Sequence, residues 1–311
     1  MSTVHIPWLT ISGRGSHIKA TPKELFIERG NKIQKYPLNE IGHLIIIGMH
    51  TLQTSTVVQL LRSGSAISFF DSDYTPLGHI YPNNYTAEEE MRSVQKKTPT
   101  HKYAITLAKA SMKARLLYLE KSAEQQNWDL FYEGELDILH KALDEIEYLI
   151  KMDEVRRLYK LSSDMYYEIL ARSIPPCLGF KRRSERPHRD PVNAMFSFGY
   201  AILNGVCRIA VIGAHLDPDR GFLHEGAGSL VYDLIEPLKP RMVDQLIFGL
   251  VSSGISPEDY EIGSARCHLS EKITNQIATL LRRTIVQGEL DAYILGLKSS
   301  MINNQDFTVI F

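Results

Sequence analysis

The chain changes texture once, and that change limits its fold more than any other feature. Up to "GHIYPNNYT" (78–86) it runs in short apolar and aromatic stretches broken by Gly, Pro and Asn: "HIPWLTI", "HIKATPKELFIER", "KIQKYPL", "HLIIIG" and "AISFFD". Runs of this length and composition read as strands. One exception, "LQTSTVVQLLRSG" (52–64), spaces its apolar residues as a short helix closed by Gly64. From Ala87 onward the period is helical. It shows in "AEEEMRSVQKK", in "HKYAITLAKASMKARLLYLEKSAEQQ", and in an amphipathic stretch over 130–173 stopped by Pro175 and Pro176. Asp190 and Pro191 then stand as N-cap and first residue of an apolar helix. Further helices are predicted near 230–239, 240–254, 270–287 and 289–297. The expected fold class is therefore α+β, an N-terminal β-rich domain followed by a larger all-α domain. Its expected parts are residues 1–81, a hinge over 82–99, and the helical domain over 100–311.

Bulk properties exclude several classes. With 311 residues and 44% hydrophobic content the chain closes a core without disulfides or metal. Cys177, Cys207 and Cys267 lie far apart, against a zinc ribbon or disulfide framework and in favour of a reducing compartment. "MSTVHIPWLT" lacks the pattern of a signal peptide. The most apolar stretch, 194–214, carries Asn204 and Arg208 and reads as a buried helix, not a membrane span. A cytoplasmic protein is expected, without a membrane partner.

Two local features carry chemistry. In "RGFLHEGAGSLVYDLIEPLKP" (220–240), His224 precedes Asp233 and Glu236, which stand three apart on a predicted helix. An imidazole and two carboxylates suit Mn²⁺, or Mg²⁺ with added waters. Such an ion polarises phosphoryl oxygens. Spacing alone equally allows an ordinary solvated acid pair, and Glu225 is a rival ligand. The second feature, "KRRSERPHRDPVNA" (181–194), places Lys181, Arg182, Arg183, Arg186 and Arg189 ahead of a helix N-terminus. Five cations in nine residues, on a chain of net charge −1, form a local phosphate-binding strip or a solvated loop.

Long stretches also resemble a known family. "RDPVNAMFSFGYAIL", "RGFLH" and "VYDLIEPLKPRMVD", with "HLIIIGMHTLQTSTVVQLLRSGSAISFFDSDYTPLGHI" and "RCHLSEKITNQIATLLRRTI", resemble the CRISPR-associated integrase/endonuclease family, Cas1. The resemblance implies a β-rich domain that mediates homodimerisation and a helical catalytic domain. It also implies sequence-nonspecific binding of duplex or branched DNA, a Cas2 partner, and Mn²⁺- or Mg²⁺-assisted cutting or joining of DNA phosphodiesters. It places the family's metal histidine on His224 and the following acidic positions on Asp233 and Glu236. His224 and Glu236 then take the catalytic role, and the strip up to Arg189 contacts DNA.

One position departs from the family. Its third ligand, a glutamate in an "L-x-x-I-E-G-x-x-A-x-x-Y" helix, falls in "MDEVRRLYKLSSDMYYEIL" (152–170) on Tyr159. A phenol is neutral at pH 7 and a poor ligand for hard cations. The helical neighbours of Tyr159, namely Val155, Arg156, Ser162 and Ser163, supply no acid. Three accounts follow: a slipped register with Glu154 as ligand, a weaker ion held by His224, Asp233 and Glu236, or a catalytically inactive DNA-binding scaffold acting with an intact paralogue.

Overall fold

Strand β4 (His43–Leu52) begins with five consecutive buried residues. A strand apolar on both faces belongs at the centre of a sheet between parallel neighbours. A computed structural model, which describes residues 5–126 and 130–311, puts it there. The other strands are β1 (Trp8–Ala20), β2 (Glu24–Arg29), β3 (Lys32–Pro37), β5 (Ala66–Phe70) and β6 (Pro76–Ile80). The order is β3-β2-β1-β4-β5-β6, with β4 parallel to β1 and β5 and the remaining pairs antiparallel. Helix α1 (Thr54–Arg62) covers the sheet with Leu60, packed among Ile11, Ile18, Leu25, Leu44 and Ile67. Gly48 takes a left-handed φ of +87°, and a Cβ there would stand 2.5 Å from the carbonyl oxygen of Gly13. No L-side chain fits that crossing.

The helical part holds α2 (Ala87–Lys97), α3 (Thr100–Gln126), α4 (Glu135–Glu145), α5 (Met152–Ala171), α6 (Pro191–Gly213), α7 (Ser229–Ile235), α8 (Gln245–Ser252), α9 (Glu271–Thr284) and α10 (Gln287–Asn303). Asp190 caps α6 as the sequence predicts, accepting the Asn193 N–H at 2.7 Å. The stretch 130–173 is two helices, because the chain extends at Leu149 and Lys151. A hairpin of β7 (Tyr260–Ile262) and β8 (Cys267–Leu269) interrupts the expected all-helical run. By length and composition α6 is, among the described residues, the one helix apolar enough to cross a membrane, and over half of that window is buried inside the protein.

Residues fall into two compact units. One comprises Met1–Thr98, Gly205–Pro218 and Gln287–Asp306; the other Pro99–Asn204, Asp219–Val286 and Phe307–Phe311. The segment expected as a hinge contains α2, and the sheet-bearing unit also takes in two later pieces of chain.

The first unit holds a histidine pair, His43 buried and His215 half-buried. The His43 imidazole Nε2 lies 2.8 Å from Ser68 Oγ. Its ring stacks on His215 at 5.0 Å, and His215 Nε2 meets the Tyr85 hydroxyl at 2.8 Å. Burial, then the neighbouring His215 and His79, pushes the His43 pKa down to about 3; burial and Lys298 push His215 down to about 4. An unfolded imidazole accepts its proton near pH 6.5 while these folded ones refuse it. Their contribution is therefore complete above about pH 6.5 and lost as the pH falls toward 3–4. At pH 4.5, two units below the unfolded value, His43 alone removes about 2.7 kcal/mol. Denaturant midpoints should fall steadily between pH 6.5 and 4, and His43→Leu should flatten that slope. A flat profile in the natural chain would contradict this account.

Candidate phosphodiester site

The loop 219–228 is folded around one carboxylate. Asp233, fully buried on α7, accepts the N–H groups of Phe222 and Leu223 on Oδ2 and that of His224 on Oδ1. Oδ1 also receives His224 Nδ1 at 2.7 Å. Ser229 Oγ accepts the Gly221 N–H, and Asp219 Oδ1 accepts that of Gly228. The turn is so close that a Cβ on Gly221 would stand 2.8 Å from the Asp233 carboxylate. From α5, Arg156 holds the outer side of the loop by donating to the Leu223 carbonyl at 2.8 Å and to Glu225 at 2.5 Å. His224 is thereby fixed with Nδ1 committed and Nε2 left as the other ring nitrogen.

His224 lines a cavity of about 470 Å³ with Tyr159, Lys160, Ser163 and Glu236. The Tyr159 ring meets the His224 ring edge-on, with centroids 5.9 Å apart. Helix α7 ends at Ile235, and Glu236 opens a tighter turn. Asp233 faces the loop, whereas Glu236 faces α3, so the pair does not act as one helical face. Glu236 Oε2 pairs closely with Arg115 Nη2, and Oε1 receives Lys239 Nζ at 2.5 Å. Arg115 Nη1 donates to Ser111 Oγ at 2.6 Å and to the Tyr159 hydroxyl at 3.3 Å. Behind them Asp244 accepts from Tyr166 at 2.7 Å and from Tyr200 at 2.5 Å.

Charge in this network is matched internally. Burial would raise the Glu236 carboxyl, yet Lys239 and then Arg115 hold it well below the usual carboxylate range. Burial, above all, pushes the Tyr159 phenol far up, so it stays neutral. Burial also lowers Lys239 and raises Asp244.

These residues do not fit a divalent ion. Asp233 has four donors on its two oxygens, which fills its acceptor capacity. Glu236 is engaged by two cations, one on each oxygen. A unit charge pair at 4 Å is worth about 4 kcal/mol at an effective dielectric of 20, so a dication beside Arg115 meets repulsion on the order of 8 kcal/mol. Among the described residues no group of three or more His, Cys, Asp or Glu side chains is arranged to hold a metal. Glu154 lies on the first turn of α5, and Glu225 is tied to Arg156.

The basic strip divides. Arg183 is turned inward: it donates to Asn193 Oδ1 at 2.6 Å and to Ser197 Oγ at 3.0 Å, over the rings of Tyr200 and Phe196. Lys181, Arg182, Arg186 and Arg189 are exposed, with Arg182 3.8 Å from Glu168. Arg186 also borders a groove of about 620 Å³ with Arg266 and His268. Sequence reasoning missed Arg115, Lys239 and Asp244. For Arg115 a signal existed, since an arginine inside the apolar run around Met112 and Leu116 needs a buried acid.

A mixed six-stranded sheet leading into a helical body is also the fold of solved casposase and Cas1 structures. A casposase structure, "Casposase bound to integration product", is similar with TM-score 0.82 at 18% identity, covering 97% of this chain and 98% of that one. "Partial Cas6-RT-Cas1--Cas2 complex" is similar with TM-score 0.76 at 20% identity, covering 97% and 98%. The family profile described as CRISPR associated protein Cas1 matches residues 9–283. The chain is 40% identical over 301 residues to the "Putative CRISPR-associated endonuclease Cas1 2" of Methanospirillum hungatei, covering 96% of this chain and 99% of the relative. The chain belongs to the Cas1 family.

Proposed function

We propose that this chain works on DNA in CRISPR adaptation, as a homodimer engaging a Cas2-type partner, on an endonuclease/integrase framework whose metal-dependent cutting and joining is strongly reduced. The observation that carries this reading is the Tyr159–Glu236–Arg115 cluster in a chain otherwise similar to Cas1 relatives over nearly its whole length. Retained DNA binding is supported by the exposed Lys181, Arg182, Arg186 and Arg189. Phosphate contacts by these four cations give affinity without sequence preference.

Gel-shift titrations on branched DNA test the binding half. Four phosphate contacts give a salt slope near −3.6, so affinity should fall about 150-fold between 50 and 200 mM salt. Arg186→Ala should reduce the slope by about 0.9. A salt-independent affinity would remove the strip from the interface. The catalytic half predicts little or no Mn²⁺-dependent product on the same DNA.

A second reading, a metal-dependent endonuclease or integrase using His224 and Glu236 with Mn²⁺ or Mg²⁺, is favoured by one observation: Asp233 orients His224 with Nε2 uncommitted. Efficient Mn²⁺-dependent cleavage abolished by His224→Ala would establish it in place of the first.

A further inference from the structure

We propose that Arg115 is a resident cation standing in for a divalent ion at the Tyr159 pocket, and that Arg115, rather than Tyr159 alone, keeps such an ion out. The inference rests on the reading of reduced metal chemistry and names the residue responsible.

Three observations carry it. First, Arg115 is placed as an ion would be: its side chain is 3% exposed, and it bonds the Glu236 carboxylate and the Tyr159 hydroxyl at once. Ser111, one turn earlier on α3, accepts from the same Nη1 that donates to Tyr159 and steadies that arm of the fork. An arginine is charged at every working pH, so this charge does not leave. Second, Lys239 holds the other Glu236 oxygen. With Asp244 behind, the network holds two basic and two acidic side chains. Third, a neutral phenol is the group that such a balance requires at position 159. A carboxylate added there would stand beside Arg115 and pair with it before any ion arrived.

The identity of residue 159 is therefore coupled to that of residue 115. Tyr159→Glu by itself creates a further Arg115–carboxylate pair, not a metal site. Removing the guanidinium as well leaves His224, Glu236 and the carboxylate introduced by Tyr159→Glu as ligands facing one cavity.

Mn²⁺ titration of the intact chain, followed by the loss of the free-ion EPR signal without DNA, tests this. The natural protein and Tyr159→Glu should show no site saturating below millimolar Mn²⁺. The Tyr159→Glu/Arg115→Met double variant should bind at least about 30-fold more tightly than Tyr159→Glu, and lose that gain on adding His224→Ala. Thermal melts establish that each variant is folded, and Arg115→Gln replaces Arg115→Met should the latter not fold. Tight, His224-dependent binding by the natural chain overturns the proposal, and that arm needs no variant to fold beyond His224→Ala. So does Tyr159→Glu binding as tightly as the double variant, or a folded double variant that binds nothing. Gel shifts on the same natural protein report on DNA binding separately, so loss of the functional reading is distinguishable from loss of this one.

Discussion

Arg115→Met should destabilise the chain by about 3 kcal/mol, which lowers its melting temperature by roughly 6–12 °C. The loss comes less from the missing attraction than from what stays behind. Glu236 keeps Lys239 but loses its second cation, in a pocket where its side chain is 11% exposed. Tyr159 loses the donor to its hydroxyl oxygen. Glu236→Gln strands Arg115 in the same way and should cost a similar amount. The double variant removes both ends, so its loss should fall short of the sum of the singles by about 2 kcal/mol. A thermodynamic cycle from urea denaturation measures that difference. Additive single losses would mean the pair is solvated and not a structural unit, and would also weaken the case for a resident cation.

This cluster marks where sequence reading ends. His224 and Tyr159 were legible because their signals are local or carried by a motif, a glycine-bearing loop and an aromatic in a helix pattern that elsewhere holds a glutamate, whereas the spacing of Asp233 and Glu236 suggested one helical face that the turn at Glu236 breaks. Arg115 lies 121 residues from Glu236, and only the packing of α3 brings the two together. The same divide runs through the fold. Gly64 after α1 and Asp190 ahead of α6 announced themselves, since left-handed backbone and N-caps each favour few residue types. The break between α4 and α5 did not, because "YLIK" contains neither Gly nor Pro, and Ile150, 85% exposed, continues the apolar pattern without being buried. Nor did a single change of texture reveal that Gly205–Pro218 and Gln287–Asp306 pack with the sheet. Gly213 against the Trp8 ring is one contact behind that grouping, and it is a matter of tertiary fit.

Asp233→Ala should be the more damaging change, and the manner of damage separates a structural carboxylate from a metal ligand. The substitution leaves three backbone N–H groups of a tight turn without acceptors, next to Phe222 and Leu223, which are 4% and 2% exposed. Each stranded donor costs about 1–3 kcal/mol, so the total lies near 3–9 kcal/mol before the loop relaxes, and about 4 kcal/mol is expected after it opens to water. Asp233→Asn is diagnostic. It preserves shape but turns one oxygen into an amide that donates toward groups that also donate. A carboxylate needed only to bind an ion would tolerate this change with its stability intact. A carboxylate that organises the loop would not, and Asp233→Asn should lose at least half of what Asp233→Ala loses. Amide hydrogen exchange locates the effect: protection at Phe222, Leu223 and His224 should fall in both variants while that of α3 and α5 is kept. If those three amides remain protected in Asp233→Asn, the turn does not depend on this acid, and the fixed orientation of His224 must have another origin.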